Sequence, residues 1–283
     1  MIEGIELKQY LHELKKHTAY DFSDYSDNSI HRRILKILKD YDISMEQLIE
    51  RTKSDSAFVE KVVEEITVNT TELFRDTHIW SAFYEKIYPS IKSKKFINIW
   101  HAGCSSGMEV YSNLILLNEL GLLDKARVYA TDINTRMVTM SKNGQYNYRF
   151  NYRYLDDFNS TLAKKPINGI SKIDFSKYFD IDEDKDTMTV KAFLRKVPQF
   201  IKHDLVQEEV PFFNKFDIVF CRNVLIYFNS KLQSKIFKLF YEQMYPGSFL
   251  LLGNHEVLSG FYKTKFIKNG PVFVKNTAFH FKY

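Results

Sequence analysis

An open, mostly parallel α/β sheet with a helical module in front of it is the fold this sequence predicts, on three observations. Residues 1–75 carry helical periodicity only, the chain from about residue 96 alternates strand-like and helix-like segments, and a glycine turn joins the first such strand to the first such helix. A small β insertion at 171–197 interrupts the alternation. The expected units are a helical domain over 1–75, a linker over 76–95 and a sheet domain over 96–283.

In the helical domain, Ile5, Leu7, Leu11 and Leu14 recur near the helical period, as do Ile30, Ile34, Ile37 and Leu38, and then Phe58, Val62, Val63 and Ile66. The breaks DFSDYSDNS (21–29), DYDIS (40–44) and SDS (54–56) supply the Asp, Ser and Asn caps that start helices. Beyond residue 96, FINIW leads into the helix MEVYSNLILLNEL, closed by Gly121, and then come RVYATDI and a helix near 134–142. Further strands are expected at PQFIKHDL, FDIVFCRNVLIYF and SFLLLGNHE, with the helix SKLQSKIFKLFYEQM between the last two. The closing PVFVKNTAFHFKY (271–283) alternates like an antiparallel edge pair. The insertion reads as a helix, an acidic loop at 180–186 and one or two short strands.

A chain of 283 residues, 45% hydrophobic and 16% aromatic, is long enough to bury a sizeable core and divide into two units. No early apolar run reaches the roughly 20 residues that span a bilayer, and residues 1–20 lack the apolar core and small-residue cleavage site of a secretion signal, so a cytoplasmic protein without membrane insertion is expected. Cys104 and Cys221 are too few for a disulfide framework and have no metal-ligand spacing, so both are expected as reduced thiols and no metal is expected. The net charge of +5 divides into −4 over 1–75 and +9 over the rest, too diffuse for a nucleic-acid track.

The stretch NIWHAGCSSGMEVYS (98–112) holds the glycine turn. Its G-C-S-S-G pattern lacks the middle glycine that admits a pyrophosphate and the Lys-[Ser/Thr] of a phosphate-cradling loop, which disfavours dinucleotides and nucleoside triphosphates. Gly103 allows close backbone approach, and Glu109, just past Gly107, suits a ligand with a cationic end. In an open parallel sheet, ligands bind beyond the carboxyl ends of the strands. There Asp132 can accept from both ribose hydroxyls, Asp204 can accept from an adenine amino group, and Arg222, Asn223 and Tyr227 share the rim. Together these positions predict a pocket for adenosine joined to an amino acid, so the expected ligand is S-adenosylmethionine. His101, His203 and His255 read as packed or hydrogen-bonded histidines, and Trp80 and Trp100 as core or rim aromatics.

Three motifs carry a resemblance to a known family: NTTELFRD (69–76), WHAGCSSGMEVYS (100–112) and FDIVFCRNVLIYF (216–228), with weaker echoes in ATDI, SKYFD, LLGNHEVL and HRRI. They resemble the CheR-type chemotaxis receptor methyltransferases, whose fold is a Rossmann-like class I methyltransferase sheet behind a small all-helical domain. The resemblance implies S-adenosylmethionine as cofactor, S-adenosylhomocysteine as product, and methyl-ester formation on glutamates of chemoreceptor cytoplasmic helices. It implies that Asn69, Thr71 and Arg75 reach the cofactor from the segment joining the domains, with Glu109, Asp132, Arg222 and Asn223 contacting it from the strand ends. Arg75 and Tyr227 then lie beside the transferring methyl as the catalytic pair, and Asp204-Leu205 stands where the family has Asn-Leu. Leu73, Met108 and Val110 also depart from the family pattern, Met108 removing a charge expected near the pocket.

A glutamate is already ionised at neutral pH, so such a transfer needs no general base, in keeping with the lack of a catalytic dyad. The basic run HRRILKILKD, with Arg32, Arg33 and Lys36, suits an acidic receptor helix, and the resemblance places an amino-terminal helix of this kind on the receptor. The insertion matches the family's β-subdomain, which in some members grips a receptor's carboxy-terminal pentapeptide. Here its loop DIDEDKDTM is acidic and has no glycine, so recognition independent of that pentapeptide is expected, by a monomer that binds no nucleic acid. The alternatives are another protein or small-molecule acceptor, or an inactive cofactor-binding regulator.

Overall fold

The structure is a computed structural model and describes residues 4–206 and 209–276. Four helices open the chain: α1 (Gly4–His17), α2 (Asp27–Asp40), α3 (Met45–Ser54) and α4 (Ser56–Ile66). The expected caps start two of them. Ser44 and Gln47 form a reciprocal capping box on α3, and the Asp55 carboxylate accepts from the Phe58 N–H on α4. Ile30, Ile34, Ile37, Phe58, Val62, Val63 and Ile66 are buried as the periodicity requires. Ile5 is not: it is exposed, and the buried stripe of α1 is Leu7, Tyr10, Leu11 and Leu14.

Within residues 76–95, expected as a linker, residues 77–91 are helical. Helix α5 (Thr77–Ala82), a π turn over Phe83–Ile87 and α6 (Tyr88–Ile91) bury Ile79, Trp80, Phe83, Ile87 and Ile91 in the core of the sheet unit. Their helical spacing was present in HIWSAFYEKIYPSI, but only the facing sheet gives that stripe something to cover.

The sheet unit continues with β1 (Ile97–Ala102), α7 (Met108–Glu119), β2 (Ala126–Asp132), α8 (Thr135–Asn143), β3 (Gln145–Asn147), α9 (Tyr148–Lys164), β4 (Phe179–Asp182), β5 (Thr187–Val190), α10 (Ala192–Arg195), β6 (Pro198–Lys202), β7 (Phe216–Cys221), α11 (Ser230–Gln243), β8 (Met244–Leu252), β9 (Phe266–Asn269) and β10 (Val272–Lys275). The main sheet has the order β6-β2-β1-β7-β8-β10-β9, in which neighbours are parallel from β6 to β8 and antiparallel at β8-β10 and β10-β9. Ile99 sits opposite Val128 on one side and Ile218 on the other, so β1 is central and the strand order reverses there. That reversal opens a crevice beyond the carboxyl ends of β1 and β7.

Three further expectations change. The insertion begins before residue 171: β3, β5 and β4 form a separate antiparallel sheet, and α9 lies between β3 and β4 with Asn151, Leu155, Phe158 and Leu162 buried. A three-residue strand leaves no periodic trace in sequence. The expected strand through FDIVFCRNVLIYF stops at Cys221, and Leu225–Tyr227 form a single 3-10 turn. The edge pair expected within 271–283 is instead β9 with β10; residues 277–283 lie outside the described residues.

The helical module joins the sheet unit at the crevice. Tyr25 bridges Phe228 in antiparallel fashion, the Ser26 N–H donates to the Tyr227 carbonyl at 2.8 Å, and the Asn229 N–H donates to the Asp24 carbonyl at 3.0 Å. Its buried side chains run into one apolar cluster with Trp100, Phe216, Phe237 and Phe240.

Candidate active site

A cleft with about 960 Å³ of empty space, part of it open to solvent, lies beyond the ends of β1, β2, β6 and β7. Asn69, Thr71 and Arg75 line it from the segment after α4, Gly103 and Glu109 from the β1–α7 turn, Asp132 from the end of β2, Asp204 and Leu205 from beyond β6, and Arg222, Asn223 and Tyr227 from beyond β7. Every residue expected at the cofactor or the reacting centre thus lines one cavity.

The turn residues explain the shape. Gly103 has φ +77°, and a Cβ there would fall 2.4 Å from Val224 Cγ2, so the end of β1 runs directly beneath the loop after β7. Phe74, Asp76, Ser105 and Asn223 also adopt positive φ, and all four lie in segments that build the cleft. For a bulky residue such as Phe74 this is a strained conformation. It is held by a bond from the Phe74 N–H to the Ser112 hydroxyl (2.8 Å) and by stacking on Phe158 (3.9 Å between ring centres).

Electrostatics divide the cleft in two. At the β2 side, the Asp132 carboxylate accepts from the Ser105 N–H (2.7 Å) and the Asn134 N–H (2.9 Å), one bond to each oxygen. Burial pushes its pKa up despite those donors. At the β7 side, Arg222 is nearly enclosed and donates to Glu109 (3.0 Å), to Asp76 (2.7 Å) and to the Arg75 carbonyl (3.1 Å). Burial pushes the Glu109 carboxyl up, but the bond to His101 (2.8 Å) and the Arg222 guanidinium outweigh it and hold it below the usual range. Arg222 therefore ties the inter-domain segment to α7 while it faces the cleft. At the mouth, burial raises the pKa of the Tyr227 hydroxyl while the charges of Arg33, Arg75 and Arg32 pull it down.

Lys36, expected with Arg32 and Arg33 at the acceptor rather than at the cofactor, makes ion pairs with Asp40 (2.6 Å) and Glu65 (2.7 Å), and none of the three lines the cleft. One expectation shifts here. Met108 is buried in the core cluster and does not line the cleft, so the departure expected to remove a charge near the pocket is a packing residue. The Asp204 carboxylate accepts from the Val206 N–H at 2.8 Å, which folds the chain after β6 back along the cleft wall. His101 is buried, bonded to Glu109 and stacked on Phe220 at 4.4 Å, whereas His255 is exposed. The Cys104 and Cys221 thiols are buried and unpaired, and burial pushes both pKa values up.

Sequence reasoning missed two residues. Tyr25 lines the cleft from the helical module, in a stretch read only as a helix break. Glu256, in LLGNHEVL, accepts four backbone N–H bonds behind the loop after β7. Its motif was visible, its partners were not.

The side chains fit an adenosyl ligand. Each Asp132 oxygen accepts one N–H and keeps a lone pair for a ribose hydroxyl. Leu205, Ile133 and Val206 give an apolar wall for a base, and the carboxylates of Glu109, Asp132 and Asp204 suit a ligand bearing positive charge.

Comparison with known proteins agrees. Residues 69–155 and 158–272 match the family described as CheR methyltransferase, SAM binding domain, and residues 5–67 match CheR methyltransferase, all-alpha domain. The chain is 34% identical over 253 residues to a Pseudomonas putida protein named Cher3, covering 89% of this chain and 88% of that one. It is 31% identical over 238 residues to chemotaxis protein methyltransferase 1 of Pseudomonas aeruginosa (80% and 81% covered), and 33% identical over 204 residues to the chemotaxis protein methyltransferase of Vibrio parahaemolyticus (70% and 68%). With a sheet of this order, a cleft that fits S-adenosylmethionine and both family domains matched in succession, the chain belongs to the CheR methyltransferases.

Proposed function

We propose that this chain esterifies glutamate side chains on the cytoplasmic helices of chemoreceptors, acting as a cytoplasmic monomer and without the receptor's carboxy-terminal pentapeptide. The observation that supports this acceptor is that Arg75 and Tyr227 line the cleft together, with Arg32 and Arg33 of α2 among the charges that act on the Tyr227 hydroxyl. A cationic mouth draws and orients a carboxylate. The bound cofactor supplies an electrophilic methyl group on a positively charged sulfur.

The chain's own residues have the remaining tasks. Arg75 gives one N–H to the Thr70 carbonyl at 3.3 Å, and its fork keeps further donors for an incoming carboxylate. Tyr227, half-buried and protonated at neutral pH, donates its hydroxyl to hold that carboxylate in line. Asp132, Asp204 and Leu205 hold the nucleoside, Asn69, Thr71 and Asn223 close over the cofactor, and Glu109 faces its cationic end. An ionised glutamate needs no base, so orientation and loss of water supply the rate, up to ~7–11 kcal/mol in favourable cases. Against pentapeptide binding stands the hairpin between β4 and β5, where Asp180, Asp182, Glu183, Asp184 and Asp186 would repel a peptide's terminal carboxylate.

The test is transfer of radiolabelled methyl from S-adenosylmethionine to receptor-rich membranes. Label released by mild alkali is expected, because carboxyl esters hydrolyse there. Alkali-stable label, or none, overturns the acceptor. An Arg75→Ala variant with activity near wild type overturns its role, and tight binding of a receptor tail peptide overturns pentapeptide independence.

A further inference from the structure

We infer that Glu256 is the positioning residue that sets the cofactor-contacting loop after β7, acting through the backbone of Asn223, Val224 and Leu225. Its side chain is buried, and each carboxylate oxygen accepts two N–H bonds. Oε1 takes Val224 (2.8 Å) and Leu225 (2.7 Å); Oε2 takes Asn223 (2.8 Å) and Gly253 (2.6 Å). A carboxylate offers about four lone-pair sites, so its capacity is filled. Three successive N–H groups turned to one point form a nest of the kind that binds free anions, and here the chain's own side chain fills it.

The geometry around the nest shows what it controls. Asn223 sits at φ +61°, in the left-handed region that asparagine adopts more readily than other non-glycine residues. Val224 packs against Gly103, the floor of the cleft, and the turn ends at Tyr227. The turn that carries Glu256 also sends the Asn254 amide to Asp76 (2.9 Å), the same carboxylate that Arg222 grips. Glu256 thus joins the end of β8, the loop after β7 and the inter-domain segment at one point. Gly253 is required beside it, since a Cβ there would lie 2.8 Å from Glu256 Oε2 and 2.9 Å from the Asn223 nitrogen.

This role rests on the assignment of Asn223 to the cofactor site, and the test separates the two. S-adenosylhomocysteine binding is measured by calorimetry on the full chain well below each variant's unfolding midpoint. The variants are Glu256→Gln, Gly253→Ala, Asn223→Ala, the double variant Glu256→Gln/Asn223→Ala, and a core control, Val272→Ala. Glu256→Gln turns an amide donor toward two N–H groups, and Gly253→Ala wedges the carboxylate away from Asn223 without removing it. Both are expected to bind at least tenfold more weakly, Val272→Ala is expected to bind as wild type does, and the double variant is expected to lose little beyond either single one. Wild-type affinity in Glu256→Gln and Gly253→Ala, or additive losses in the double variant, overturns the positioning role. Wild-type affinity in Asn223→Ala overturns the assignment of Asn223 instead.

Discussion

Replacing Arg222 by Leu tests the electrostatic centre of the site. The guanidinium is nearly solvent-free and faces two carboxylates, Glu109 at 3.0 Å and Asp76 at 2.7 Å. At an effective dielectric near 20, a contact of this length is worth ~5 kcal/mol before desolvation is subtracted. Leu removes both attractions and leaves Glu109, among the described residues, with His101 as its remaining side-chain partner. Breaking a buried pair from one side costs about 3–5 kcal/mol, which in a chain of this size lowers the unfolding midpoint by roughly 5–8 °C. Thermal unfolding followed by circular dichroism reads the shift. Adding Glu109→Gln should recover part of the loss, because the residual charge is then gone. A midpoint for Arg222→Leu within about 2 °C of wild type, roughly 1 kcal/mol, would refute the reasoning and show a network already screened by water.

Gly103→Ala combines a left-handed φ with a Cβ 2.4 Å from Val224 Cγ2, so it should cost about 2–5 kcal/mol and weaken S-adenosylhomocysteine binding beyond tenfold; denaturant unfolding and calorimetry measure the two effects. Charge reversal at Arg32 and Arg33 should raise the acceptor KM severalfold at low salt, less at high salt, and leave S-adenosylhomocysteine affinity unchanged, as steady-state kinetics across ionic strengths will show. Burial lowers the pKa of Lys275 to about 8 while its ammonium donates to the Tyr241 and Met244 carbonyls. The unfolded chain therefore binds the proton more tightly, and the penalty on stability is full below pH 8 and relieved as pH climbs toward 10.5. The midpoint of Lys275→Met minus that of wild type should accordingly fall between pH 7 and pH 10; a constant difference would refute the assignment.

The sequence by itself determined what is local. Caps at Ser44 and Asp55, the buried stripes of α2 and α4, the central strands and the glycine turn depend on neighbours within a few residues, and these were legible. The strand-end residues of the cleft were legible too, because in a parallel sheet every strand delivers its carboxyl end to the same edge, whereas Asn69, Thr71 and Arg75, which precede the sheet, were placed there only by the family resemblance. Tertiary structure alone decided the partnerships. It put Arg222 between Glu109 and Asp76, separated from it by 113 and 146 positions in the chain, turned Met108 into the core, and paired Lys36 with Glu65. It brought Tyr25 from the helical module into the cleft and gathered four N–H groups around Glu256. It also made a core helix of the supposed linker, since an apolar stripe becomes a buried one only when another element covers it. Periodicity records which face a residue occupies; which groups meet across that face depends on how separate elements pack, and nothing local in the chain encodes that.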